Sequence, residues 1–247
     1  MELESATALG LSQQLNDGDI SAEELMRETL ARIDAVNGDI NAIVALRDQD
    51  ALLAEARQVD AEMAADRRKG LLHGLPMAVK DLQDVAGLAS TNGSTLFANH
   101  IPTSDQLLPS RLRAAGAIFI GKTNVPEFGL GSNSFNSVYG TTRNPYAKDR
   151  TAGGSSGGAG AALAARMVVV ADGSDAMGSL RNPAAWNNVY GFRPTQGRVP
   201  DHPEGDVYLH QLSTDGPMAR CPKDIAALLE VLAGPHPYRP HGIAPEP

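Results

Sequence analysis

The stretch from residue 153 to 181 limits what this chain can fold into more than any other. It reads Gly153-Gly154-Ser155-Ser156-Gly157-Gly158, then a run of small residues from Ala159 to Ala165 and an apolar run from Met167 to Val170. It ends Gly173-Ser174-Asp175-Ala176-Met177-Gly178-Ser179-Leu180-Arg181. Two glycine-rich turns, each carrying serine, therefore flank a helix over 156–166 and a strand over 167–170. Glycine lets main-chain N–H groups crowd around one point and accepts positive φ, and serine supplies a nucleophile once a base takes its proton. The stretch holds no His or Cys, so the base comes from elsewhere. Lys80, at the end of the apolar segment 75–79, is the candidate. A lysine held in a dry site loses charge stabilisation and can act as a neutral base. These features alone do not say which serine Lys80 serves.

Around that stretch the texture is that of an α/β protein. Residues 5–67 read as helical. Ser21-Ala22-Glu23-Glu24 fits a capping box, Met26, Leu30, Ile33 and Val36 follow at helical spacing, and Gly38 is the expected stop. A strand is expected over 40–46, and a second amphipathic helix through Leu52, Leu53, Ala56, Val59 and Met63, ending at 67–70. Strands at 75–79 and 117–120, a helix at 106–115, a loop-rich span over 122–152, a strand near 189–193 and a last helix over 225–232 complete the pattern. Strands alternating with helices imply a mixed sheet flanked by helices. The expected organisation is one domain over 1–247, with a helical region (1–70), a catalytic core (71–233) and a proline-rich end (234–247) read as a linker or connection.

Charge and composition narrow the function. A net charge of -8 argues against nonspecific nucleic-acid binding, which needs clustered cations. The single cysteine, Cys221, excludes an internal disulfide and fits a reducing compartment. The acidic start, Met1-Glu2-Leu3-Glu4, lacks the basic and apolar segments of a signal peptide, and no apolar run approaches a membrane span. A cytoplasmic, soluble protein is expected, with no membrane or nucleic-acid partner and with homo-oligomerisation left open. No metal site is expected, because the six histidines are scattered and neither H-E-x-x-H nor C-x-x-C occurs.

Two motif matches fail on context. Gly116–Thr123 fits the P-loop pattern letter by letter, but its variable positions, Ala117, Ile118, Phe119 and Ile120, are themselves a strand, and Pro126 interrupts the helix a phosphate needs. Gly153–Gly157 fits the G-x-S-x-G nucleophile elbow, but residues 144–152 supply no strand before it. Of the later histidines, His202, His210, His236 and His241, the last two fall in the proline-rich end.

Taken together, the pieces resemble the amidase signature family of serine amidohydrolases. They are Gly74-Leu-Pro-Met-Ala-Val-Lys80-Asp81, Gly121-Lys-Thr-Asn124-Val-Pro-Glu127-Phe128, Gly153–Gly158, the segment from Gly173 to Ala184, Gly191-Phe-Arg-Pro194 and Asp215-Gly-Pro-Met-Ala-Arg220. Each piece is weak alone; their order and spacing are specific, and the resemblance covers nearly the whole chain. It implies a Ser–cis-Ser–Lys triad with Lys80 as base, Ser155 as the bridging serine after a cis peptide bond and Ser179 as nucleophile. Ser155 and Ser179 lie 24 residues apart, the family's usual spacing. It further implies an oxyanion site from the N–H groups of Ala176, Met177, Gly178 and Ser179, a substrate-lining backbone near Gly129, and loop-fixing roles for Ser156, Asp175 and Arg181. The implied reaction is hydrolysis of a small-molecule carboxylic amide to acid and amine or ammonia through an acyl-enzyme, without metal or cofactor. Two alternatives accompany it: the glutaminase subunit of a tRNA-dependent amidotransferase, and a non-catalytic truncated remnant.

The sequence departs from the family's pattern in two places. The family usually has two glycines before the nucleophile, and the first is Met177 here, which a positive φ would strain. Family members are also commonly about twice this long, and a chain of that size buries a larger fraction of its surface. The expectation is therefore a chain that lacks its C-terminal portion, poorly soluble or oligomeric when expressed alone and weakly active.

Overall fold

The structure is a computed structural model that describes residues 5–202, 208, 209 and 211–244. The acidic start at 1–4, His210 and the final prolines Pro245 and Pro247 lie outside the described residues. Three helices open the chain: α1 (Ala8–Asp17), α2 (Ala22–Ile40) and α3 (Gln49–Ala64). The capping box at Ser21 and Glu24 is formed, with both reciprocal bonds present. Gly38 does not stop α2. The helix runs on to Ile40, and Asn41 ends it in the left-handed conformation (φ 56°), a position Asn tolerates because its short polar side chain can hydrogen-bond locally. Asn37 makes the stop specific: its side-chain oxygen accepts from the N–H groups of Ala42 and Ile43. The strand expected over 40–46 shrinks accordingly to β1 (Ile43–Val44), and α3 ends at Ala64 rather than at 67–70.

The longer strands gather in two three-stranded sheets. In the first, β2 (Pro76–Lys80) runs parallel to β3 (Ile118–Thr123), and β1 adds antiparallel to the other side of β3. Every residue of β2 and β3 is buried, Lys80, Lys122 and Thr123 included, as in a parallel pair covered on both faces. The helix between them is α4 (Leu107–Ala114). The loop-rich span after β3 contains two small hairpins, β4 (Phe135–Asn136) with β5 (Gly140–Thr141) and β6 (Arg143–Asn144) with β7 (Ala147–Thr151). Alternation is too short there to read from sequence.

Helix α5 (Gly157–Ala164) is all glycine, alanine and leucine and buries every residue except its last. A helix apolar all round is a core helix, and this one approaches the backbone closely. A Cβ on Gly158 would collide with the main-chain N of Asn124 and the carbonyl oxygen of Ala42. After α5 the strand begins later than expected: β8 is Val170–Asp175, and the buried residues 167–169 lead into it from Arg166, which sits at φ 65°. α6 (Arg181–Trp186) and the short β9 (Tyr190–Gly191) follow. The second sheet has the order β8-β10-β9, with β10 (Thr214–Ala219) antiparallel to both neighbours. α7 (Pro222–Leu232) closes the fold with Pro in its first turn, where the missing N–H costs nothing. The carboxylate of Asp224 accepts from the N–H groups of Ala8 and Leu9, tying α7 to α1.

The proline-rich end is not a free linker over its described part. Gly234 N–H donates to Arg198 O, Ile243 N–H to Gly197 O, and Arg239 pairs with Asp201 at 2.8 Å. Arg111 on α4 donates to the carbonyls of Leu232, Gly234 and Pro235. Prolines have no N–H to donate, so carbonyls and a few arginines hold the segment down.

Candidate functional site

The site lies where the two sheets meet. Strand β2 ends in Lys80, and beside it stands β8. Between them runs no ordinary ladder at this point: the Lys80 N–H donates to the carboxylate of Asp172 (3.1 and 3.2 Å to its two oxygens). The Lys80 side chain is buried. Its Nζ lies 2.8 Å from each of three hydroxyl oxygens, those of Ser155, Ser156 and Ser174. An ammonium would donate to all three; a neutral amine would donate twice and accept once. Burial lowers Lys80 to about 8, and the more distant charges of Asp215, Asp172 and Asp175 pull against that fall.

Ser155 and Ser156 are presented by the turn before α5. The Gly154–Ser155 peptide bond is cis. Ser134 pins the turn from the side: its Oγ accepts from Gly157 N–H (3.0 Å) and donates to Ser155 O (3.3 Å). Gly129 lies over Ser155, and a Cβ built on it would sit 3.7 Å from Ser155 Oγ and 2.7 Å from Leu82 Cδ1. With φ at 70° and Leu82 that close, only glycine fits without strain.

Ser179 lies on the turn between β8 and α6, and that turn is built around Asp175. The Asp175 carboxylate accepts from the N–H groups of Gly178 (2.7 Å), Leu180 (3.2 Å) and Arg181 (3.4 Å), and from Arg181 Nε (2.9 Å) and Nη2 (3.0 Å). Burial works against the charged form, yet these bonds bring Asp175 down to about 2. Arg193 adds a bond to the Asp175 carbonyl at 3.1 Å. The two serine turns are tied directly, since Ser156 N–H donates to Ser179 O at 3.2 Å. Among the described residues Ser179 Oγ makes no hydrogen bond, and the N–H groups of Met177 and Ser179 donate to no protein acceptor, whereas that of Gly178 is held by Asp175. Met177 is 88% exposed and is not among the positive-φ residues, so the strain expected there is absent; Gly178 takes the positive φ (114°) instead.

Lys80, Ser155, Ser156, Asp175, Arg181 and Gly129 thus fall into one region with the turn 176–179. Sequence reasoning misses Ser174, Asp172, Asp215 and Arg193 as members of this region. Ser174 and Asp172 are legible in part: once β8 is placed, positions 172 and 174 share a face by two-residue alternation.

Residues 24–246 match the amidase family model. The chain belongs to the amidase family. Its curated relatives include a glutamyl-tRNA(Gln) amidotransferase subunit of Carboxydothermus hydrogenoformans, 41% identical over 96% of this chain and 48% of that protein. Among solved structures, a bacterial aryl acylamidase of the amidase signature family superposes with a TM-score of 0.91 at 31% identity, over 98% of this chain and 50% of that one. The peptide amidase of Stenotrophomonas maltophilia gives 0.87 at 34% identity, over 96% and 50%. The chain spans about half the length of the relatives it matches. The mixed α/β architecture is that of amidase signature enzymes. Among the described residues no helix is long and apolar enough to cross a membrane.

Proposed function

We propose that this amidase-family chain carries the acyl-transfer machinery of a serine amidohydrolase, with Ser179 as nucleophile, Ser155 as relay and Lys80 as base. The observation that carries the reading is the buried Lys80 Nζ, 2.8 Å from Ser155 Oγ and, among the described residues, without a carboxylate in salt-bridge contact. A lysine in that state gives up its proton far more readily than a solvated one. Ser179 Oγ attacks the carbonyl carbon of the amide. Its proton passes to Ser155 Oγ, whose own proton passes to neutral Lys80. A rotation of the Ser179 side chain brings its hydroxyl to Ser155, since catalytic hydrogen bonds often close only with substrate in place. The negative charge on the tetrahedral intermediate is met by the unengaged N–H groups of Met177 and Ser179, with Ala176 and Gly178 framing the turn. Lys80 then returns its proton through Ser155 to the leaving nitrogen, the C–N bond breaks, and water releases the acid from the acyl-Ser179 ester by the reverse relay.

The substrate in this reading is a small-molecule carboxylic amide, handled in the cytoplasm without metal, cofactor or nucleic acid, by a monomer or a homo-oligomer. The Lys80–Ser155 contact favours a catalytic over a non-catalytic chain. The amidotransferase relatives favour one second reading, a glutaminase that works with partner chains. Labelling with a fluorophosphonate and locating the modified residue by mass spectrometry tests the first. Modification at Ser179, lost in Ser179→Ala and largely kept in Ser156→Ala, is expected; labelling that persists on Ser155 in Ser179→Ala overturns the assignment. Ammonia release from glutamine, compared with release from simple aryl and alkyl amides, separates the two readings.

A further inference from the structure

Behind Lys80 the fold buries two acids that the reaction above does not use. Asp172 stands opposite Pro217 in the β8–β10 ladder, and Ser174 stands opposite Asp215. Opposed residues share a sheet face, so Asp172, Ser174 and Asp215 project together, toward the side where Ser174 Oγ meets Lys80 Nζ at 2.8 Å. Both carboxylates are buried. Asp172 uses its two oxygens on the main-chain N–H of Lys80. Asp215 accepts from Gln83 Nε2 at 3.1 Å. Among the described residues neither is in a salt bridge, in contrast with Asp175, which pairs with Arg181 and Arg193, and with Asp81, which faces Lys122.

A carboxylate in a dry interior without a salt-bridge partner holds its proton more tightly than one in water. Burial raises Asp172 to about 6 against the pull of the Lys80 N–H, Lys122 and Lys80. Burial, with the charges of Asp201 and Asp172, raises Asp215 to about 7 against Lys80 and Gln83. The charged groups around Lys80 are Asp172 and Asp175 from β8, Asp215 from β10, Asp201 from the segment before β10 acting on Asp215, and Lys122 from β3 with its own partner Asp81.

We propose that Asp172 and Asp215 are positioning residues for the amidase reaction. Asp172 grips the Lys80 main chain and so fixes where its amine arrives, and the buried carboxylates of Asp172 and Asp215, on one face of the sheet, supply negative charge that receives Lys80 when it becomes protonated. The inference rests on Lys80 acting as the base. Removing either carboxylate's charge destabilises the ammonium, lowers the lysine's affinity for protons and makes the neutral base available at lower pH.

The test uses the full chain with Asp172→Asn, Asp172→Ala and Asp215→Asn. The rate of fluorophosphonate labelling of Ser179 is followed against pH, and the Lys80 Nζ chemical shift is followed by NMR on the same samples. Both Asn variants are expected to move the rising limb and the Nζ midpoint down by about one pH unit, the effect of losing one nearby opposite charge. Asp172→Asn keeps an oxygen for the Lys80 N–H and is expected to label several-fold faster than Asp172→Ala at about pH 10, where Lys80 is neutral in every variant. A midpoint that stays in place or rises overturns the proposal, as does equal labelling of the Asn and Ala variants. Should the Asn variants not fold, the wild-type side-chain carboxyl carbons decide: titration of Asp172 and Asp215 above about pH 5.5 but below that of Lys80 is expected, and ordinary titration of both at about pH 4 overturns it. Lys80→Met labelling as fast as wild type would overturn the base assignment instead, and the Nζ titration still reads the acid pair on its own.

Discussion

Two lysines sit side by side in the first sheet and meet opposite fates. Lys80 ends β2, Lys122 lies near the end of β3, and the parallel register pairs Val79 with Lys122 and Lys80 with Thr123. Both are buried, and burial pushes both below the usual lysine range. Lys122 has a counter-ion, Asp81 at 3.8 Å, and its Nζ also donates to Gln83 O. Lys80 meets three hydroxyls and, among the described residues, no carboxylate in salt-bridge contact. In the proposed reaction the difference separates structural from chemical use of one residue type. A buried lysine beside a carboxylate is tied into the packing, and one among hydroxyls has groups with which it can exchange a proton.

The comparison breaks most sharply by substitution at Lys80. Lys80→Arg is expected to slow Ser179 labelling by about 10²–10⁴-fold, the range a general base contributes, because guanidinium does not deprotonate. Thermal unfolding, followed alongside, should show that the variant is still folded at the labelling temperature. At Lys122 the order of effects reverses. Lys122→Met leaves Asp81 buried without its cation and should cost about 3–5 kcal/mol of stability by urea unfolding. The double variant Lys122→Met with Asp81→Asn should recover part of that loss, and a fully additive double variant would show that the pair does not act as one.

The pH dependence sharpens the same contrast. Labelling should rise as pH passes about 8, where Lys80 loses its proton. Stability should move the same way: between about 8 and 10.5 the unfolded chain binds a proton at this lysine that the folded chain does not, so unfolding free energy rises with pH across that window. Lys80→Met should flatten that rise, as measured by urea midpoints across the same window. Asp175 titrates at the other end of the scale. Its folded value of about 2 lies below the ordinary 3.8, so its contribution is present above 3.8 and disappears as pH falls through about 2. Asp175→Asn should cost about 1–3 kcal/mol at neutral pH through the weakened turn and the loss of Arg181. The smallest effect is expected at Met177. The side chain is exposed and its backbone unstrained, so Met177→Gly should change stability by less than about 0.5 kcal/mol, and a larger change would mean that Met177 packs against something in solution.

Much of this is legible in the residues. The helices that open the chain, the buried strands ending at Lys80 and Thr123, and the turn sequences around Ser155 and Ser179 all carry local signals: capping residues, unbroken apolar runs and glycine. The misreadings have local causes too. Gly38 reads as a helix stop, but Asn37 and Asn41 supply the side-chain bonds and the left-handed residue that end the helix. The apolar residues 167–169 read as the strand, but they are buried approach, and the ladder runs through the polar residues 172–175. A strand that runs Val-Ala-Asp-Gly-Ser-Asp has no sustained hydrophobic alternation to announce it. The proline-rich end reads as unattached because the contacts that hold it are distant arginines and main-chain carbonyls.

The residues alone show which side chains are candidates for an acyl-transfer site and which turns present them, because turns and caps are written in a few neighbouring positions. What each buried charge faces is settled only in three dimensions. Lys80 and Asp172 are separated by 92 residues, and their meeting depends on how the two sheets abut. The proton affinity of a buried group is set by that meeting, since in a low-dielectric interior the identity of one neighbour outweighs everything local in the chain.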